Sequence, residues 1–412
     1  MIFFDRNAFD KVCRPNSGAA AFFTSVLVWG IGVGCFSAVY NNFLVEIHDV
    51  TGTQRGLVVF FSEIPGVSLV ALFALLARFS DWQILKMGAL ISLLAVLLLT
   101  LPMGLPPTIA VITIWALGEH LVMPVRQSLA LSLAREGQSG ESLGIVTGAT
   151  NFGTVAGALA AAAVFFVCAR FFDVSGGRFP YDIVFLLAAL LLGISFVIAQ
   201  LVKDPPSQKT RRPSFYFRRK YWRFYVLELF YGARKQVFIT FGPFVLIKLY
   251  GLNTSQVALL FSLSALLSAI FGARLIGKLT DRFGYRNIMI YDTVILFFVC
   301  LLYGYARDIF PMAIALPVVC VNYVLDTMIS HASIATNLYA RTLSESQEEL
   351  TATLSSGISV NHVITIVLAL LGGMVFDKWG AGVLFSFSAL MALLNSAFAL
   401  TIPKERSGRA EA

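Results

Sequence analysis

Apolar residues fill this chain in long runs that are separated by short polar turns. A helix needs about 20 apolar residues to cross the hydrocarbon core of a bilayer, and twelve runs come close to this length. The pattern therefore predicts an all-α membrane protein with twelve transmembrane helices. The predicted spans are 19–46, 55–78, 84–103, 108–135, 143–171, 181–202, 222–249, 255–278, 287–305, 309–338, 351–375 and 380–402.

A weak internal repeat relates the two halves of the chain. A shift of 202 positions places Gly30 on Gly232 and Gln54 on Gln256, and both copies read as a span, a short polar turn and a second span. Such repeats are typical of transporters built from two related halves. We predict two pseudo-symmetric six-helix bundles with a linker between them: residues 1–202, 203–221 and 222–412.

The distribution of charged residues predicts which loops and termini lie on the cytoplasmic side of the membrane. Charged residues make up 13% of the chain, against about 25% in soluble domains. Most of the 31 Lys and Arg residues fall in the linker, the termini and alternate loops, so the positive-inside rule places both termini in the cytoplasm. We expect a multi-pass protein of the cytoplasmic (inner) membrane, monomeric, in contact with lipid. The net charge of +8 is read as a topology signal, and no nucleic-acid partner is expected.

The chemistry of an enzyme is not indicated. The five cysteines are scattered without metal-ligand spacing. Glu119 and His120 are adjacent on one span, so their side chains diverge by about 100° around the helix. No phosphate-binding loop is present. We therefore expect no catalytic residues, no metal and no cofactor.

One local motif points to a family. Between spans 8 and 9 the chain reads GKLTDRFGYR, from Gly277 to Arg286. This stretch resembles the cytoplasmic loop signature of the major facilitator superfamily, and the six-plus-six layout is similar as well. The resemblance implies a secondary transporter that works by alternating access. It also implies that a set of loop residues stabilises the closed cytoplasmic side: Gly277, Asp281, Arg282, Gly284 and Arg286.

Two departures from the family pattern narrow the prediction. The matching loop of the first half keeps only the aspartate, Asp81, and lacks the glycines. Span 5 has no glycine-proline motif of the kind that drug antiporters carry, which argues against that branch of the family.

Charged side chains inside the spans are the candidate functional groups. The resemblance implies that spans 1, 4, 7 and 10 line a central cavity. A charge at the bilayer centre costs about 3 kcal/mol. The spans contain three acids and three bases, so we expect several of these charges to be paired with each other. Ion pairs that only fix helix packing are one reading. The other is a site in which cations from both halves bind an anionic group: Arg126, Arg234 and Lys235, with Tyr40, Asn42 and Thr240 as uncharged neighbours.

Proton coupling needs a carboxyl or imidazole group whose proton affinity responds to burial. Five residues fit this requirement: Glu119, Glu63, Asp326, His120 and His331. Asp292 lies near the end of its span and is expected to reach the membrane surface. Glu228 is expected to pair with the basic linker.

Gly30, Gly32 and Gly34 in span 1 allow two readings. They leave room for long side chains of the other half, or they serve close helix packing.

Together these features predict a secondary active transporter for a small organic anion or zwitterion, driven by protons or by exchange with a counter-substrate. Proton-driven efflux of lipophilic drugs or lipids is the alternative within transport. A non-transporting membrane sensor or scaffold is the alternative of another class.

Overall fold

A computed structural model describes residues 12–14, 18–76, 78–136, 138–174, 176–201 and 217–403. Most of the predicted linker and both chain ends therefore lie outside the described residues. The described part of the chain is almost entirely helical, which confirms the predicted fold class.

The helices of the first half follow the predicted spans closely. Their apolar composition drives them out of water, and short Gly-, Pro- or Ser-containing turns end them. A break at Ser68 divides α2 into two segments. The bounds are α1 Ala19–His48, α2 Gly52–Val67 and Leu69–Leu75, α3 Asp81–Leu98, α4 Leu105–Leu133, α5 Ser139–Phe171 and α6 Phe179–Gln200.

The helices of the second half are more often interrupted. A π-helical turn divides α8, a 3-10 turn divides α10, and Gly380 (φ 81°, ψ 178°) separates α11 from α12. The bounds are α7 Trp222–Lys248, α8 Thr254–Leu267, Ser268–Gly272 and Ala273–Phe283, α9 Tyr285–Ile309, α10 Met312–Ile329, Ser330–Ala332 and Ser333–Leu343, α11 347–379 and α12 381–399. Within the described ranges, eight helical stretches are long and apolar enough to cross a membrane.

The chain divides into two compact units that exchange short segments. The first unit comprises residues 1–50, 61–212 and 251–266, and the second comprises 51–60, 213–250 and 267–412. Helices α2 and α8 each begin in one unit and end in the other. The bundle bounds given by the sequence stay a prediction.

The starts of α2 and α8 have the same local structure. Gln54 Oε1 accepts a hydrogen bond from the backbone N–H of Thr51 (2.9 Å), and Gln54 N–H donates back to the Thr51 hydroxyl (3.2 Å). Asn253 and Gln256 repeat this capping box with two bonds of 3.0 Å. The two boxes lie 202 residues apart, which is the spacing of the sequence repeat.

The glycines of α1 serve helix packing. A Cβ on Gly30 would lie 2.8 Å from the carbonyl oxygen of Thr150, and one on Gly34 would overlap the backbone of Thr154. On the facing helix, Gly153 approaches the backbone of α1 in the same way. Small residues on both helices allow α1 and α5 to touch backbone to backbone. The packing reading of these glycines is therefore the correct one for Gly30 and Gly34.

Candidate functional site

The first unit contains a cavity of about 230 Å³ that is lined by one face of α4 and by α2. The α4 positions recur every three or four residues, so the helical repeat brings their side chains to one face. The lining residues are Ser62 and Glu63 from α2 and Trp115, Ala116, Glu119, His120 and Met123 from α4. Three of the five predicted coupling residues thus meet at this cavity.

Glu119 has both a neutral and a charged neighbour. Trp29 donates its indole N–H to Glu119 Oε1 at 3.1 Å. Glu119 also interacts electrostatically with Arg126, which lies two turns further along α4. Arg126 lines a second, water-sized cavity of about 10 Å³, and its Nε has no hydrogen-bond partner among the described residues. One helix face therefore presents an acid and a cation with an unused donor.

His120 is oriented by its own helix. Its Nδ1 lies 2.7 Å from the carbonyl oxygen of Ala116. A carbonyl oxygen can only accept a hydrogen bond, so Nδ1 carries the hydrogen in this contact.

The second unit holds a buried ion pair. Arg234 Nη1 lies 2.5 Å from Asp326 Oδ1, with 1% and 9% of the two side chains exposed. The guanidinium group of Arg234 also lies over the ring of Tyr231, with 5.5 Å between the guanidinium carbon and the ring centre. Arg234 is thus already bound to an acid in this structure.

Lys235 lies in a different environment from its neighbour. It is half-buried, and its ammonium group lies 5.5 Å from the ring centre of Tyr231. It interacts electrostatically with Glu228, Asp326 and His331. Lys235 is therefore more accessible than Arg234.

The other predicted residues take part in local hydrogen bonds. His331 Nε2 pairs with the Ser268 hydroxyl at 2.6 Å. The Thr240 hydroxyl accepts from Gln236 Nε2 at 2.6 Å. Asn42 is fully buried and donates to Glu46 Oε1 at 3.0 Å, and Tyr40 is half-buried, 5.4 Å from the Phe36 ring. Their role in binding stays a prediction.

The loop that carries the family motif shows why a glycine stands at its end. Gly284 has φ 80°, a left-handed conformation that favours glycine, and it caps the start of α9. Arg286 Nη2 donates to the carbonyl of Leu400 at 2.8 Å, while Asp281 and Arg282 are exposed. Gly277 lies at the start of this stretch, in the last segment of α8. The role of this loop in gating stays a prediction.

Near the end of the predicted linker, Lys220 binds two acids. Its ammonium group lies 2.7 Å from Glu349 and 3.1 Å from Glu345. The hydrogen bond with Glu349 is the main reason why the pKa of Lys220 is raised above its usual value.

One expectation about acids was wrong. Asp292 does not reach the surface: it is 8% exposed, because the first turns of α9 pack into an apolar cluster with Tyr221, Phe224 and Tyr339. Most of the linker lies outside the described residues, so the expected pairing of Glu228 with it stays a prediction. Glu228 is buried in α7 and accepts a hydrogen bond from Asn361 Nδ2 at 2.5 Å.

Sequence reasoning also missed two polar networks at helix starts. In the first unit, the Thr254 hydroxyl at the start of α8 contacts Tyr181 Oη (2.7 Å) and Glu46 Oε1 (3.1 Å). In the second unit, Asp377 accepts from the backbone N–H of Gly52 and Thr53 at 2.7 Å each. The partners are more than 70 residues apart in the chain, so a local pattern could not reveal them.

The comparisons with known proteins agree with the fold. The family model of the Major Facilitator Superfamily matches residues 21–356. The chain therefore belongs to the major facilitator superfamily, as its loop motif indicated. It is a multi-pass membrane transporter and not an enzyme. No curated protein matches the sequence.

Solved structures of the same fold share little sequence with this chain. The nucleoside transporter NupG is 13% identical, with a TM-score of 0.74 over 94% of this chain and all of that one. A bacterial homologue of the human lysosomal transporter Spinster, inward-facing and occupied, is 15% identical (TM-score 0.72; 93% and 95% covered). A POT family transporter in complex with 5-aminolevulinic acid is 14% identical (TM-score 0.71; 93% and 95% covered). At this identity the likeness shows the fold alone.

Proposed function

We propose that this transporter moves a small organic anion or zwitterion across the inner membrane, and that protons drive the movement. Among these two cargo classes the zwitterion is favoured. The observation that carries this proposal is the mixed charge on one face of α4, where Glu119 lines the larger cavity and Arg126 the smaller one.

Arg126 provides the anion-binding part of the argument. It interacts with Glu119, but its Nε has no hydrogen-bond partner in the described part of the chain. A guanidinium group binds a carboxylate in a two-pronged geometry that uses adjacent N–H groups. A cargo carboxylate would therefore use the donor that the protein leaves open.

The acids provide the second part. Glu63 and Glu119 are half-buried and both line the larger cavity. A cargo ammonium group binds at these carboxylates, and one of them carries the coupled proton. A POT family structural neighbour binds 5-aminolevulinic acid, whose amine and carboxyl groups have this combination of charges.

The test compares three related probes on the purified full-length protein. 5-Aminolevulinic acid carries both charges, levulinic acid lacks the amine, and the methyl ester of 5-aminolevulinic acid lacks the free carboxylate. We expect the first to raise the melting temperature most. Equal stabilisation by levulinic acid would identify an anion carrier instead. Stabilisation only by an amphiphile, or only by a nucleoside, would contradict the proposal.

Variants assign the effect to the site. Arg126→Gln should remove the stabilisation by the best probe, whereas the matched control Arg170→Gln changes an exposed arginine at the end of α5 and should keep it. Unchanged stabilisation of Arg126→Gln would contradict the role of Arg126.

Proton coupling is tested separately in proteoliposomes. An inward proton gradient should accelerate uptake of the probe that binds. Glu119→Gln should lose this acceleration and keep exchange of labelled for unlabelled probe, because exchange needs no net proton movement. If the unmodified protein takes up the probe at the same rate with and without the gradient, the coupling is refuted.

A further inference from the structure

A second group of buried charges lies in the interior of the second unit. Asp292 on α9, Arg234 on α7 and Asp326 on α10 are 8%, 1% and 6% exposed. Asp292 and Asp326 both interact electrostatically with Arg234. Arg234 therefore has two buried carboxyl groups in its electrostatic surroundings and contacts one of them, Asp326.

The neighbouring charges do not balance this group. Lys235 interacts with Asp326 and with Glu228, which is itself 6% exposed. The linked set thus holds three acids and two cations, with His331 beside Lys235. If all five were ionised and His331 were neutral, a net negative charge would remain in a buried site. A buried group without compensation takes up a proton instead, so one of the three acids is neutral.

Hydrogen bonding distinguishes the three acids. Asp326 has the direct contact with Arg234 Nη1 at 2.5 Å. Glu228 accepts from Asn361 Nδ2 at 2.5 Å. Asp292 Oδ1 is buried and has no hydrogen-bond partner among the described residues. We propose that Asp292 is a proton-binding site of this transporter, and that Arg234 controls it.

Arg234 has the donors for such a role. Its Nε and Nη2 are buried without hydrogen-bond partners in the described residues, while Nη1 holds Asp326. When the guanidinium group turns to Asp292, the O–H bond of Asp292 breaks and one forms on Asp326. The proton moves from one acid to the other and the total charge stays constant, so the step needs no unpaired buried charge.

Several packed helices contribute groups around this site. Asp292 shares α9 with Cys300, α7 contributes Tyr231, Glu228 and Lys235, and α10 contributes Tyr323 and His331. The contacts that α12 makes beside the site are uncharged: Ser396 bonds Thr293, and Ser388 bonds the backbone of Arg234.

This inference rests on the proposed proton coupling, but its test needs no cargo. The infrared spectrum of the purified full-length protein in lipid reports the C=O stretch of protonated carboxyl groups. Near neutral pH we expect Asp292 to contribute a band of this kind, and Asp292→Asn should remove that contribution. The exposed control Asp308→Asn should keep it.

Two further variants test the control by Arg234. In Asp326→Asn, Arg234 is free to pair with Asp292, so the band should disappear while the protein still folds. In Arg234→Gln, both aspartates lose their cation, so the band should grow about twofold. A spectrum that Asp292→Asn leaves unchanged would overturn the proposal, and so would the absence of any band in the unmodified protein. Failure of the cargo assays with this band present would refute the proposed cargo and leave the proton site in place.

Discussion

Loss of Arg234 should destabilise the second unit strongly, and the structure sets the size of the effect. At 2.5 Å and an effective dielectric constant of about 20, the attraction between Arg234 and Asp326 is about 7 kcal/mol before desolvation is subtracted. The loss in Arg234→Gln is smaller, because Asp326 can take up a proton. Protonating an ordinary carboxyl group at pH 7 costs about 4 kcal/mol, which agrees with the range of about 3–5 kcal/mol for broken buried pairs.

Thermal melting of the purified protein measures this cost. For a cooperative unit of about 200 residues, 1 kcal/mol shifts the midpoint by about 2–4 °C, so Arg234→Gln should melt about 8–16 °C lower. The double variant Arg234→Gln/Asp326→Asn should regain at least half of the loss, because the amide needs no proton. The exposed control Arg170→Gln should melt as the unmodified protein does.

The pH dependence gives a second measure. In Arg234→Gln the folded state binds a proton at Asp326 that the unfolded state lacks near neutral pH. Stability of this variant should therefore fall as pH rises, by about 1.4 kcal/mol for each pH unit and each proton. A double variant that is no more stable than Arg234→Gln, together with a flat pH profile, would refute the reasoning.

Three further predictions follow from single contacts. Arg126→Gln should weaken binding of the best zwitterionic probe about tenfold or more without a change in melting temperature; an equal loss in Arg170→Gln would contradict this. Gly34→Ala should lower the melting temperature, with a cost of about 1–3 kcal/mol for an overpacked contact, because its Cβ would overlap the Thr154 backbone. Gly144→Ala, where no atom lies within 4 Å of the new Cβ, is the matched control and should melt normally. Asp377→Ala should cost about 1 kcal/mol, as a lost helix cap does, and hydrogen exchange should rise at Gly52 and Thr53; unchanged exchange there would show that this cap is dispensable.

The helices of the described residues could be predicted from the chain because the membrane environment favours them. In a bilayer every backbone polar group needs an internal partner, so a long apolar run has few alternatives to a helix. The capping boxes at Thr51 and Asn253 are equally local, since each uses residues three apart. The family motif from Gly277 to Arg286 was readable for the same reason.

Only part of the candidate site could be predicted from the sequence. Helical spacing placed Glu119, His120 and Arg126 on one span, and the cavity that Glu63 shares with α4 required two helices to pack. The prediction for Asp292 was wrong, because the position of a residue near the end of a span does not show which neighbouring helices cover its side chain.

The sequence by itself determined the membrane class, the helices and their order, and the family, because these depend on local composition, periodicity and a contiguous motif. Only the tertiary structure decided which buried charges are partnered. Asp326 meets Arg234 across 92 positions of the chain, and Asn361 meets Glu228 across 133. Such pairs depend on the packing of helices that are distant in sequence, and the energy of each buried charge depends on the partner that packing supplies.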